Sequence, residues 1–107
     1  MEQNDFSHLI QDKVVLVTGA TGTVGSEVVR QALEYQPARL ICLGRDEARL
    51  TRLQAALEQR NERTSIVTAA GDVLQRAHLE EVFAEHRPNV VFHTAAHKHT
   101  QSASDAV

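Results

Sequence analysis

Three glycines at three-residue intervals, Gly19, Gly22 and Gly25, close the segment KVVLVTGATGTVG. A short apolar run rich in β-branched residues precedes them, and a helical pattern follows. Side chains are thus deleted where a strand turns into a helix. A helix N-terminus offers unpaired amide hydrogens and the positive end of the helix dipole, so its natural ligand is an anion. Gly19 permits the tight turn, Gly22 admits a diphosphate close to backbone, and Gly25 allows the helix to sit tightly on the sheet. A glycine-rich turn that binds nothing has the same composition. The placement after VVLVT and before an amphipathic helix favours a dinucleotide. No Lys-Ser or Lys-Thr follows the last glycine, which excludes a P-loop.

The second chemical feature is Leu43-Gly44-Arg45-Asp46. An acidic residue at the tip of a second strand would accept from a ribose 2′-OH and select NAD. Here the tip is Gly44, and the guanidinium of Arg45 can pair bidentately with a 2′-phosphate. The reading is NADP, with NAD possible because Asp46 could still reach the ribose. Arg45 as a solvated neighbour of a helix cap is the plain alternative. Further on, Asp72 of Gly71-Asp72-Val73 could accept from an adenine amino group while Val73 packs on the ring. Asp72 could equally cap a helix starting near Gln75.

These residues need a frame, and the hydrophobic pattern supplies one. Val14 to Val17, Arg39 to Leu43, Ser65 to Thr68 and Val90 to Phe92 have strand character. Val24, Val28, Ala32 and Leu33 recur at helical spacing, with Arg30 and Glu34 turned to water, and Pro37 closes that helix. Leu50, Leu53 and Leu57 mark a second helix behind the N-cap candidate Asp46. Leu79, Val82 and Phe83 mark a third, stopped near Pro88. Residues 1–12 form a lead-in, one helical turn held by Phe6, Leu9 and Ile10. The remainder, 13–107, is a single βαβαβαβ unit. Short right-handed crossovers make this an α/β fold, a Rossmann-type doubly wound parallel sheet of strand order 3-2-1-4, truncated after its fourth strand. Continuously apolar strands suit a sheet covered on both faces. The chain stops about a dozen residues after the fourth strand, which predicts a piece of a larger protein, the edge of that strand open to pairing with another chain.

Bulk properties exclude several classes. The formal net charge of −3 gives no basic surface for nucleic acid. No apolar stretch reaches the roughly 18 residues of a membrane span, and MEQNDFSHLI does not read as a secretory signal. Cys42, the single cysteine, sits in an apolar run and reads as a core residue in a reducing compartment. The expected location is the cytoplasm.

TGATGTVGSEVVRQ, LGRDEARL, GDV and NVVFHTAAHKH follow one another in an order and spacing that resemble the extended short-chain dehydrogenase/reductase superfamily. Within it the resemblance is to the capsular-polysaccharide (CapD-like) nucleotide-sugar 4,6-dehydratase/epimerase family, over residues 13–99. The Ser-Glu after Gly25 and the AA-x-KH element narrow it. The resemblance implies that Gly19, Gly22 and Gly25 hold the pyrophosphate and that Thr21, Thr23 and Val24 surround it. It implies Arg45 at the adenosine ribose, Asp72 and Val73 around the adenine, Ala95 and Ala96 flanking the cofactor, and Lys98 near nicotinamide and sugar. It further implies hydride transfer to NADP from C4 of a UDP-linked N-acetylhexosamine, loss of water across C5 and C6, and return of the hydride. His97 replaces the family's usual aromatic, and Thr100-Gln101 its Val-Pro. The catalytic acid/base half of the family lies outside this chain: Tyr35 is its single tyrosine, reads as a packing residue, and no Tyr-x-x-x-Lys occurs. The chain alone is therefore expected to bind a cofactor without turnover.

His93, His97 and His99 invite a metal reading, but they would share one face only if the strand continued through 99, the family resemblance implies that it ends near Thr94, and no nearby Cys or Glu completes a set. His93 reads as a hydrogen-bonded histidine at the core's edge, and His78 and His86 as surface or boundary residues of the third helix.

Overall fold

A computed structural model describes residues 4–60 and 63–94 of the 107-residue chain. Its elements are α1 (Asn4–Ile10), β1 (Val14–Thr18), α2 (Thr23–Glu34), β2 (Arg39–Gly44), α3 (Glu47–Gln59), β3 (Ser65–Ala70), α4 (Arg76–His86) and β4 (Val90–His93). The strands form one parallel sheet in the order β3-β2-β1-β4, the order the alternating pattern predicts.

Period-two alternation divides the strand residues between two layers. Val15, Val17, Leu40, Cys42 and Ile66 face one side, where Val29, Ala32 and Leu33 of α2 and Leu50 and Leu57 of α3 cover them. Leu16, Ile41 and Leu43 face the other, beneath Val82 of α4. β1 and β2 are buried almost throughout, as strands covered on both faces must be. Burying one such Leu or Ile side chain contributes roughly 1.5–3 kcal/mol.

At the amino ends of the strands, the Val14 N–H donates to Asn89 Oδ1 at 2.8 Å, and the Asn89 N–H donates to the Val14 carbonyl at 2.7 Å. This clip registers β4 on β1. At the same end the Thr64 hydroxyl donates to the Pro37 carbonyl at 2.7 Å. The carboxyl ends are thereby left as the open end of the sheet.

Several sequence expectations shift. Val24 is 63% exposed, and the buried face of α2 runs through Gly25, Val29, Ala32 and Leu33. Ala32 and Leu33 keep their predicted places and Val28 still packs partly buried against the core, while Val24 lines the opening at the carboxyl ends of the strands. Leu9 is 49% exposed, and within α1 it is Ile10 that enters the core. Tyr35 lies past the last turn of α2 as its C-cap, and packs against the core from there. β3 runs on to Ala70, because pairing with β2 continues through Ala70 beside Gly44. Asp72 does not cap α4; Gln75 is the N-cap and the helix starts at Arg76. β4 pairs only with β1 among the described residues, and its residues alternate between half-buried and exposed, with Val91 43% exposed. It is a half-covered edge strand here rather than a fully covered one.

Candidate functional site

The turn between β1 and α2 is built around Gly19, whose φ of 66° lies in the left-handed region that suits glycine. The Gly22 N–H donates to the Gly19 carbonyl at 3.1 Å and closes the turn, while the Ala20 N–H donates to Leu43 O at 3.0 Å and ties it to β2. α2 begins at once, with Gly22 as N-cap and no side chain capping it. Its first-turn N–H groups are left to an external acceptor. Among the described residues, a Cβ at Gly22 would meet only the Gly19 carbonyl, at 3.5 Å, so its open side is room for a ligand. A Cβ at Gly25 would overlap the Gly19 carbonyl outright. The three glycines therefore have separate causes: dihedral freedom, ligand clearance and helix-to-turn contact.

Thr94, directly after β4, fastens this turn. Its hydroxyl donates to the Thr18 carbonyl at 2.6 Å and reaches the Gly19 carbonyl at 3.3 Å. Its N–H donates to Thr18 Oγ1 at 3.1 Å. Thr18 Oγ1 in turn lies 2.8 Å from Nδ1 of His93. His93 is thus hydrogen-bonded at the edge of the sheet, as its sequence context suggested.

A cavity of about 420 Å³ opens above these residues at the carboxyl ends of the strands, within the roughly 300–1,000 Å³ range of small-molecule sites. Gly19, Thr21, Gly22, Thr23, Val24 and Gly25 line its floor. Gly44, Arg45 and Asp46 form one wall, Gly71, Asp72 and Val73 the next, and Thr94 closes the β4 side. Every candidate cofactor residue within the described part of the chain thus meets at one opening. Ala95, Ala96 and Lys98 lie outside the described residues, as do His97 and His99. The sequence reading assigned no role to Thr94 or Gly71, whereas Gly44, read as the small residue at the strand tip, lines the cavity. The signal for Thr94 was available: a hydroxyl one residue past the strand that adjoins β1.

The Arg45–Asp46 corner has a distinct electrostatic layout. Asp46 Oδ1 accepts the Arg49 N–H at 3.1 Å, capping α3, and Oδ2 lies 3.6 Å from Arg49 Nε. Both carboxylate oxygens face their own helix. Arg45 is exposed, lines the cavity, and makes no hydrogen bond or ion pair among the described residues. The corner presents a cation where an NAD-selective site would present a carboxylate. Gly44 is small for a local reason as well: a Cβ there would stand 3.3 Å from Thr21 Oγ1. Asp72 Oδ1 accepts the Leu74 N–H at 2.9 Å, an Asx turn that shapes the third wall.

A doubly wound sheet whose first turn is stripped of side chains, with a cavity at the junction of β1 and β4, defines a Rossmann-type domain of the short-chain dehydrogenase/reductase kind. Residues 15–106 match the family model described as polysaccharide biosynthesis protein, and the chain belongs to that family. It is 36% identical over 100 residues to the probable polysaccharide biosynthesis protein EpsC of Bacillus subtilis, covering 92% of this chain and 17% of EpsC. It is 36% identical to the capsular polysaccharide biosynthesis protein CapD of Staphylococcus aureus, covering 87% of this chain and 16% of CapD. It is 33% identical to a dTDP-glucose 4,6-dehydratase of Neisseria gonorrhoeae, covering 85% of this chain and 26% of that protein. Among solved structures, Pen from Bacillus thuringiensis superposes with a TM-score of 0.70 at 27% identity, over 88% of this chain and 28% of that one. The chain thus spans between about a sixth and a quarter of the three curated relatives named. Among the described residues, no helix is long and apolar enough to cross a membrane.

Proposed function

We propose that this chain is the NAD(P)-binding part of a nucleotide-sugar 4,6-dehydratase/epimerase of surface polysaccharide biosynthesis, acting on a UDP-linked N-acetylhexosamine. Residues 13–107 form its dinucleotide-binding unit and residues 1–12 a lead-in, in a cytoplasmic protein. The observation that carries this reading is the cavity over the uncapped start of α2, whose floor has no side chain at Gly19, Gly22 or Gly25. A diphosphate bridge fits that floor: it needs amide donors and close backbone approach, and both are there. The adenosine half would lie between Arg45 and the Asp72–Val73 turn, with the nicotinamide half toward Thr94, Ala95, Ala96 and Lys98. The bound cofactor would supply hydride chemistry; the chain's residues bind and orient it. Family membership and the dehydratase relative support the polysaccharide setting and the reaction class.

NADP is the favoured cofactor, because Arg45 has no partner among the described residues while Asp46 is turned to its helix. The test is titration of the chain with NADPH and NADH. Tighter NADPH binding is the expected result; equal affinities would remove the 2′-phosphate argument, and binding of neither would remove the site.

A second reading has its own support. Among the described residues, the ionisable groups lining the cavity are Arg45, Asp46 and Asp72, all on the adenosine side. That layout suits a dinucleotide-binding module without turnover. Incubation with UDP-N-acetylglucosamine and NADP separates the two, since a 4-keto product requires catalysis by this chain. The half-covered β4 edge also supports self-association, which light scattering measures; a strict monomer would count against it.

A further inference from the structure

The wall of the cavity formed by Gly71, Asp72 and Val73 is held from behind by a side chain the chemistry so far has not used. His78 stands in the first turn of α4, and its ring lies against Gly71. A Cβ at Gly71 would overlap Cδ2 and Nε2 of that ring. The Nε2 atom is sealed from solvent and has no hydrogen-bond partner among the described residues. An unpaired buried nitrogen is destabilising, so hydrogen bonding does not account for the ring's place. Its contact with Gly71, where any side chain would collide with the ring, does. On its other side, Gly71 donates its N–H to the Gly44 carbonyl at 2.8 Å, and Gly44 belongs to the facing wall. Gly71 is therefore clamped between β2 and the His78 ring.

We infer that His78 and Gly71 are a matched wedge and slot that positions the Asp72–Val73 turn, and so sets the grip on the adenosine end of the dinucleotide. His78 is a positioning residue and touches no ligand itself. The inference rests on the dinucleotide reading of the cavity and adds the element that tunes one half of it.

The test compares ADP, which carries the adenosine end, with inorganic pyrophosphate, which engages the floor alone. Binding of both is measured calorimetrically for the 107-residue chain and for Gly71→Ala, His78→Ala and the double variant. Gly71→Ala is expected to weaken ADP about tenfold and leave pyrophosphate within about twofold, with the double variant recovering most of the loss, as coupled contacting residues do. His78→Ala alone is expected to weaken ADP about threefold by freeing the turn, again sparing pyrophosphate. Unchanged ADP affinity in both single variants would overturn the inference. So would equal weakening of the two ligands, which a general loss of structure produces. Failure of the unaltered chain to bind ADP is a different result, and defeats the dinucleotide reading itself.

Discussion

The carbonyl of Gly19 occupies the place where a side chain on Gly25 would begin. The same virtual Cβ would stand 2.7 Å from the Thr94 hydroxyl. One missing methyl group thus lets three pieces of chain meet: the end of β1, the first turn of α2 and the end of β4. The binding floor is a product of that contact.

Gly25→Ala should therefore act on fold and site together. Neither the Gly19 carbonyl nor the Thr94 hydroxyl can retreat, since the Thr94 hydroxyl is bonded at 2.6 Å to Thr18 O. Overpacking of this kind costs about 1–3 kcal/mol. Urea denaturation should show a lower midpoint with an unchanged slope, and NADPH binding should fall by at least about tenfold. A variant of full stability and full affinity would show that α2 can lift off the turn freely.

Arg45 and Asp46 are adjacent, yet they should respond in opposite ways. Arg45→Ala removes an exposed guanidinium with no partner among the described residues, so stability should stay within about 0.5 kcal/mol. NADPH affinity should drop roughly 10- to 100-fold, the scale of one charge-assisted pair to phosphate. NADH should bind about as before. Asp46→Ala removes the cap of α3 and should cost about 1 kcal/mol of stability, with little change in the preference between the two dinucleotides. Loss of NADH binding in the Asp46 variant would assign the carboxylate to the ribose after all.

Thr18 joins β1 to the edge strand β4 through its side chain as well as its backbone. Its hydroxyl oxygen accepts from the Thr94 N–H and meets His93 Nδ1. Thr18→Val keeps the shape and removes both contacts. The ring nitrogen then loses its partner, while the Thr94 N–H keeps the Thr18 carbonyl at 3.3 Å; an unpaired buried group costs about 1–3 kcal/mol. The loss should sit at the lower end, because His93 is exposed. Thermal melts with and without NADPH would measure it, and a valine variant of equal melting temperature would show that water replaces the hydroxyl.

Most of the frame was written in the hydrophobic pattern. The strand order followed from short crossovers, and Val15, Leu16, Val17 and Leu40 to Leu43 were identifiable as buried from their unbroken apolar runs. The glycine turn was legible because Gly19 and Gly25 sit where dihedral or steric demands exclude other residues, with Gly22 between them leaving clearance for a ligand. Positions decided by tertiary contact were less so. Val24 fits a helical stripe but is exposed, because the first turn of α2 lines the cavity instead of the core. Asp72 has the chemistry of a helix cap but lies too far before Arg76 to serve, so it makes its own turn. Gly71 and His78 are seven residues apart, and no local rule pairs them. Thr94 gains its role from β1, far away in sequence. Short-range periodicity reports which face is buried, and side-chain bonds across the sheet lie beyond its reach.

Cys42 supplies a test of the core that is independent of any ligand. It lies in the middle of β2, opposite Val17 and between β1 and β3, and is fully buried. Burial disfavours the thiolate and pushes the thiol from its ordinary value of 9.0 up to about 12. The native thiol should resist Ellman's reagent at pH 8 and react at once in denaturant. The sign of the pH effect follows from the same shift. The folded state keeps the proton to about pH 12, while the unfolded chain loses it near 9.0. Cys42 therefore favours folding fully below about pH 9, and its contribution declines as pH rises from there toward 12. Cys42→Ala should flatten that alkaline decline while lowering stability at neutral pH through the cavity it leaves. Rapid labelling of the native protein at pH 8 would mean that the centre of β2 opens to solvent, and would contradict the packing described for both faces of the sheet.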